Sequence, residues 1–231
     1  MLLAGDIGGT KTALGVYTPE RGPRSPLVRD SFPSDDYPSL EAVVSAFLAR
    51  HDVWLDSACF DVAGPVVGGR AKVTNLPWSI DAEALRNQFG LRAVHLLNDL
   101  EALAHAVPRL EPADLYTINE GKAVPGGSIA VVAPGTGLGE AYLTWDGARY
   151  RAHPSEGGHS DFAPASERED GLLRFLRGRY GHVSTERVVS GLGISNIYDY
   201  LREMSRVPEV PAVAARMEGA EDRTPIIVEA A

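Results

Sequence analysis

The chain has a single cysteine, Cys59, among 231 residues. One thiol forms no intramolecular disulfide and builds no cysteine-ligated zinc site, so a reducing, cytoplasmic setting is the expectation. No apolar run approaches the roughly 20 residues that a membrane span needs. The start, Met1-Leu2-Leu3-Ala4-Gly5-Asp6, meets an acid too early for a signal peptide. Positive charge is scarce: 22 Lys and Arg against 31 Asp and Glu leave a net charge of −9. That balance argues against nucleic acid or an anionic membrane surface as a partner. It leaves a small phosphorylated ligand open, because the field at a site can oppose the global charge. The six histidines show no metal-ligand spacing. No Gly-Lys-Ser/Thr ending closes a glycine-rich loop as in a Walker P-loop, and no N-terminal helix-turn-helix is present.

What is there is an ordinary globular composition, 44% hydrophobic and 23% charged, long enough for two modest domains. Leu2 to Ile7 reads as a strand, Gly8-Gly9-Thr10 as a turn and Thr12 to Tyr17 as a second strand, with Leu14 and Val16 on one face and Ala13, Gly15 and Tyr17 on the other. Leu27 to Phe32 makes a third. A helix follows from Pro38 to His51, striped by Leu40, Val43, Val44, Phe47 and Leu48, with Pro38 in its first turn. Ala58 to Ala63 is a strand with Gly69 to Thr74 pairing beside it, and Ser79 caps a helix from Ile80 to Phe89 that Gly90 ends. These elements make residues 1–110 a mixed-sheet α/β domain.

The second domain, residues 111–231, restarts the pattern. Strands are expected at Asp114 to Asn119, Gly127 to Ala133, Glu140 to Trp145 and Arg149 to His153, the last two joined by an Asp146-Gly147 turn. Helices follow at Glu167 to Arg179, briefly at Ser184 to Val189, and around Ile194, Ile197, Tyr198 and Leu201. Pro208 to Glu221 reads as a connector or weak helix. Thr224 caps a last segment with a proline at its first helical position. This domain lacks the strands that would complete its sheet, so the chain reads as the N-terminal part of a longer protein.

Four stretches carry chemistry. The first is Ala93 to Ala104: an apolar strand breaks at Asn98 and Asp99 and a helical pattern begins. A carboxylate there sits at the C-terminal edge of a sheet, where ligands bind in open α/β folds, although Asp99 also suits the plain role of helix N-cap. The second is Gly5-Asp6-Ile7-Gly8-Gly9-Thr10-Lys11, whose glycines let backbone N–H groups approach a phosphate and whose Asp6 can hold a hydrated Mg²⁺. An ordinary Gly-Gly hairpin is the bland alternative. The third, Gly135-Thr136-Gly137-Leu138-Gly139, repeats that logic in the other half-chain, and two such loops suggest two related domains gripping one polyphosphate. The fourth is Ser155-Glu156-Gly157-Gly158-His159-Ser160-Asp161. Glu156 and His159 either bind a metal, with Asp161 as third ligand, or hydrogen-bond a polyol. Glu186 is a further candidate, or merely a favourable charge at a helix N-terminus. Asn75, in the turn Thr74 to Trp78, is a weaker contact candidate, and His95 a surface or core histidine.

Gly5-Asp6-Ile7-Gly8-Gly9-Thr10, Leu97-Asn98-Asp99, Gly135 to Gly139, Glu156 to Pro164 and Ser184-Thr185-Glu186-Arg187-Val188, in that order, closely resemble bacterial glucokinases of the hexokinase-like superfamily. The resemblance covers essentially the whole chain. It implies two ribonuclease-H-like (actin-like ATPase) domains with a central cleft, the second incomplete in this chain. It further implies ATP-dependent phosphorylation of the glucose 6-hydroxyl, with ATP and Mg²⁺ as cofactors, glucose and ATP as partners and a homodimer as a common assembly. Carried over, Gly5, Asp6, Ile7, Gly8, Gly9 and Thr10 are the first phosphate loop and Gly135, Thr136 and Gly137 the second. Asn98, Glu156, His159 and Glu186 hydrogen-bond the sugar, and Asp99 is the base that also touches it. Relatives that act as repressors and kinases carry a cysteine-rich zinc motif after the glutamate–histidine segment, which Cys59 alone does not provide. The alternatives are a sugar-binding fragment without catalysis and an actin-like ATPase or chaperone. The latter leaves Glu156 and His159 without a task.

Overall fold

The computed structural model describes residues 1–205 and 209–231. Pro208, the start of the expected connector, lies outside them. The chain divides into two units, Met1–Leu110 and Glu111–Ala231.

In the first unit β1 (Leu2–Ile7), β2 (Lys11–Tyr17) and β3 (Val28–Pro33) form an antiparallel meander. Next come α1 (Leu40–Arg50), β4 (Ser57–Val62), β5 (Val66–Val67), β6 (Arg70–Lys72), β7 (Ser79–Asp81), α2 (Ala82–Gln88), β8 (Ala93–Asn98) and α3 (Asp99–Ala106). The main sheet has the order β3-β2-β1-β4-β8, with β4 and β8 parallel to β1 and its neighbour. Alternation explains the register. Leu3, Ile7, Leu14, Val16, Phe60 and Val62 point to one face and pack with Leu40, Val43, Val44 and Phe47 of α1 in a continuous core. The register pairs Ile7 with Val62 and Val62 with Asn98. The three parallel strands therefore end together, and Gly8, Ala63-Gly64 and Asp99 leave the sheet along one edge.

In the second unit β9 (Ile129–Pro134), β10 (Leu138–Trp145) and β11 (Tyr150–Ser155) form an antiparallel sheet. The helices α4 (Glu167–Tyr180), α5 (Gly191–Ser205), α6 (Pro211–Met217) and α7 (Thr224–Ala230) follow. Leu172 and Leu176 of α4 pack with Val183 and with Tyr200 of α5.

Several boundaries differ from the sequence reading, each for a local reason. Ser39 caps α1, so Pro38 stands before the cap and outside the first turn. Gly69 to Thr74 does not pair with β4. Its core, β6, lies between β5 and β7 in a separate small antiparallel sheet. Ser79 belongs to that sheet, opposite Lys72, and the cap of α2 falls to Asp81, whose Oδ1 accepts the N–H groups of Glu83 and Ala84 at 2.9 and 3.1 Å. Strand pairing claims Ser79 and leaves the next good capping side chain to begin the helix.

Asp114 to Asn119 is no strand. Pro112–Asp114 forms a 3₁₀ turn in which the Glu111 N–H donates to Asp114 Oδ2 at 2.8 Å. Tyr116 and Ile118 beyond it are 90% and 93% exposed. A local side-chain bond wins where no neighbouring strand accepts the backbone groups. β10 begins at Leu138, two residues before the expected Glu140, because Leu138 and Gly139 pair with Pro134 and Ala133. Thr224 does not cap α7 but is its first residue. Its hydroxyl donates to Gly191 O at 2.8 Å.

Candidate functional site

The candidate residues form two groups, one in each unit. In the first unit Asn98 and Asp99 stand where β8 turns into α3. Asn98 takes the capping role: its Oδ1 accepts the Leu100 N–H at 3.0 Å and its Nδ2 donates to Gly64 O at 3.2 Å. Asp99, the first helical residue, also accepts the Leu100 N–H through Oδ1 at 2.8 Å, and its second oxygen makes no hydrogen bond among the described residues. The reading of Asp99 as mere N-cap is thereby corrected, since the residue before it does that work.

The glycine turn after β1 is closed by Gly8 N–H on Lys11 O at 3.1 Å. Neither Gly8 nor Gly9 has a positive φ. What Gly9 supplies is proximity: a Cβ there would stand 3.0 Å from the Asn75 Cβ. Asn75 thus lies against the turn. Thr74 is tied to the end of β4 by its N–H and its hydroxyl, both donating to Ala63 O. Gly5 is packed more closely still, with a Cβ there falling 2.6 Å from Phe60 and 2.7 Å from Leu14.

Ser34, which the sequence did not single out, holds the turn from beneath. Its hydroxyl donates to Gly8 O at 2.8 Å and meets the Thr12 hydroxyl at 3.0 Å, while its N–H donates to Thr10 O at 3.0 Å. Ser34 and Thr12 are fully buried. A serine just after a strand carries no distinctive signal in one dimension.

Asp61 is the second residue missed. The parallel register sets it beside Asp6. Both line a cavity of about 300 Å³ with Ala4, Cys59, Leu97 and Arg29. Burial, then the charges of Asp6 and Asp99, push the Asp61 carboxyl up to about 7. Burial also raises the Cys59 thiol, with Asp61 and Glu101 adding, so Cys59 stays a thiol rather than a nucleophilic thiolate. The available signal was phase: Asp61 alternates with Phe60 and Val62, the inward pair of β4.

In the second unit the Gly135–Gly137 turn, the Glu156–His159 loop and Glu186 come together. Gly157–His159 is a 3₁₀ turn with the His159 N–H on Glu156 O at 3.0 Å. The His159 ring stands 3.6 Å from Glu156 through Nε2 and 3.9 Å from Glu186 through Nδ1. Gly158 is buried against Leu138, where a Cβ would overlap the Leu138 carbonyl, and one on Gly157 would overlap the Glu140 carboxylate. The glycines between Glu156 and His159 therefore exist for close packing on β10. Glu186 sits in the Thr185–Arg187 turn and accepts the Leu138 N–H through Oε2 at 3.0 Å. That bond reaches across the fold, so the simple role of a charge at its own helix start is set aside.

Asp161 does not join Glu156 and His159. It pairs with His182 Nε2 at 2.7 Å, and residues 160–162 run beside 183–185 through Phe162 N–H on Val183 O and Thr185 N–H on Ser160 O. The metal alternative for this loop is corrected accordingly. Among the described residues no group of three or more His, Cys, Asp or Glu suits a metal ion. His95 is exposed on β8.

A mixed sheet of order β3-β2-β1-β4-β8 with a glycine turn after its first strand, and a strand–glycine-turn–strand unit in the second half-chain, define an α/β protein of the actin-like ATPase fold. A family model described as glucokinase matches residues 3–231, and the chain belongs to the glucokinase family. It is 41% identical over 218 residues to a glucokinase of Nostoc punctiforme, covering 93% of this chain and 64% of that relative. The chain therefore spans about 64% of the length of such curated relatives. Among solved structures it resembles a glucokinase from an Antarctic psychrotroph (TM-score 0.82, 28% identity, 99% of this chain and 74% of that one). In fold it also resembles a ROK family glucokinase from Streptomyces griseus in complex with glucose and AMPPNP (TM-score 0.53, 22% identity, 99% and 70%). No described helix is long and apolar enough to cross a membrane.

Proposed function

We propose that this chain carries the sugar and phosphate machinery of an ATP:glucose 6-phosphotransferase. The supporting observation is Asp99. It is a carboxylate at the C-terminal edge of a parallel sheet, relieved of the capping role by Asn98 and left with one oxygen free of hydrogen bonds among the described residues. A sugar hydroxyl is a weak nucleophile, and a carboxylate within hydrogen-bond reach takes its proton as it attacks phosphorus. Phosphoryl transfer otherwise depends on positioning and charge stabilisation, which the backbone N–H groups of Gly8 to Thr10 and of Gly135 to Gly137 are suited to supply.

Glu156, His159 and Glu186 are the sugar contacts in this reading, with the second Nδ2 proton of Asn98. A carboxylate and an imidazole select for hydroxyls because a buried partner left unpaired costs about 1–3 kcal/mol. Mg²⁺ bound to the nucleotide would neutralise phosphate charge. It keeps most of its water and asks for only one or two protein carboxylates, and Asp6, exposed at the end of β1, fits that need without a cage of ligands. The chain binds glucose and ATP in this proposal, and the solved relative with glucose and AMPPNP supports both ligands.

Glucose-dependent ADP formation in a coupled assay tests the reading. Asp99→Asn should lower kcat by about 10²–10⁴ while glucose affinity, read by calorimetry, stays within a few-fold. An Asp99→Asn enzyme as fast as the parent would remove the base from the scheme. Glucose binding with no turnover by the parent chain would favour a sugar-binding piece without catalysis.

A further inference from the structure

Glu186 reaches both the second glycine turn and the glutamate–histidine loop with the two oxygens of one carboxylate. Its Oε2 accepts the Leu138 N–H at 3.0 Å and lies where a Cβ on Gly137 would fall. Its Oε1 faces His159 Nδ1 at 3.9 Å. The backbone behind it is fixed as well: Ser190 Oγ donates to Glu186 O at 2.6 Å and accepts the Gly193 N–H at 3.1 Å. The start of α5 then closes on the far side of the turn, with Gly191 N–H on Gly135 O at 2.8 Å and Leu192 N–H on Thr136 O at 3.4 Å. The turn is thus held between Glu186 and α5, and those two holders are bonded to each other.

We infer that Glu186 is a positioning residue of the glycine turn, and that a polyol on the Glu156–His159 loop acts on that turn through this one carboxylate. A hydroxyl that draws on Oε1 changes the orientation and the acceptor strength of Oε2. The Leu138 N–H reports that change, and anything that displaces Oε2 disturbs the polyol site in return. Coupling of this kind is reciprocal, with typical factors of 5–150 in affinity. The inference rests on the kinase reading only for what the two loops bind.

The test follows the Leu138 amide by hydrogen exchange in the 231-residue chain, with glucose as the probe and the Leu143 amide of β10 as the marker of a folded sheet. Glu186→Ala should speed Leu138 exchange at least tenfold, while Glu186→Gln, which keeps a neutral acceptor, should hold it within about threefold. Saturating glucose should alter Leu138 exchange in the parent and not in Glu186→Ala. Gly137→Ala supplies the reverse experiment: its new methyl displaces Oε2, so glucose affinity by calorimetry should fall at least fivefold from a residue assigned to the phosphate side. Leu138 exchange within twofold of the parent in folded Glu186→Ala overturns the brace. If Glu186→Ala loses Leu143 protection, glucose affinity within twofold of the parent in Gly137→Ala overturns the link by itself. Failure of glucose to bind the parent counts against the kinase reading instead, and leaves the brace to be judged by the exchange comparison alone.

Discussion

Asp61 shows what a single half-buried carboxylate does to a sheet edge. Its folded pKa of about 7 lies above its ordinary 3.8, raised by burial and then by Asp6 and Asp99. The folded state therefore holds a proton that the unfolded chain releases, and stability falls as pH rises from about 4 to about 7, then levels off. Asp61→Asn should abolish that slope in metal-free buffer. At pH 8 it should raise unfolding free energy by about 1–3 kcal/mol, a figure reduced for the partial exposure of the group. Urea midpoints taken from pH 4 to 8 check this, and parallel curves for parent and variant would place the proton elsewhere. At the same scale, Asp99 was legible because it breaks an apolar run. Asp61 was not, because an acid on the outer face of a strand is indistinguishable from a solvated one until the register sets Asp6 beside it.

At the scale of elements, the first glycine turn depends on a residue from the end of another strand. Ser34 links Gly8 O, Thr10 O and the Thr12 hydroxyl, and both Ser34 and Thr12 are buried. Ser34→Ala leaves the buried Thr12 hydroxyl and Gly8 carbonyl short of a partner. It should cost about 1–3 kcal/mol, read as a lowered urea midpoint at unchanged m-value. Nucleotide-analogue affinity should drop with it if the turn holds phosphate. The elements themselves were largely readable: β1, β2, α1, α3, α4 and α5 follow clear periodicities, with Gly90 and Gly181 adopting positive φ after α2 and α4. The errors cluster at caps and at short strands. Ser79 and Asp81 are equally good caps in sequence, and pairing of Ser79 with Lys72 decides between them. Asp114 to Asn119 has strand-like composition, but a strand exists only where a neighbour takes its hydrogen bonds.

At the scale of each folded unit, charge placement matters more than the net value of −9. In the second unit the buried Asp199 receives Arg179 at 2.9 Å and both guanidinium nitrogens of Arg223 at 2.9 and 3.0 Å, with Arg202 at 3.8 Å. This joins α4, α5 and the entry to α7. Burial pushes the Asp199 carboxyl up, but Arg223 and Arg179 outweigh it and hold the group below its ordinary value. A depressed pKa gives stability that is complete above the ordinary carboxylate range and is lost as pH falls through the folded pKa. Asp199→Asn should destabilise the unit by about 3 kcal/mol, as breaking buried ion pairs does. It should also flatten acid unfolding below about pH 4, with lost hydrogen-exchange protection confined to residues 167–205 and 224–230. Unchanged protection there would mean that the arginines are held by other groups.

Read alone, the sequence determined the alternation of strands and helices, the two glycine turns and the family, because each depends on residues adjacent along the chain. Apolar spacing, glycine placement and motif order are local properties that need no third dimension. Only the tertiary structure decided which acids share a site. It set Asp61 beside Asp6, Ser34 beneath Gly8, Asp161 on His182 instead of beside His159, and Glu186 against Leu138. Each of those pairings joins residues far apart in sequence. The hydrogen bond or shift in pKa that gives the residue its role arises only when strand register and chain packing bring the partners within a few ångströms.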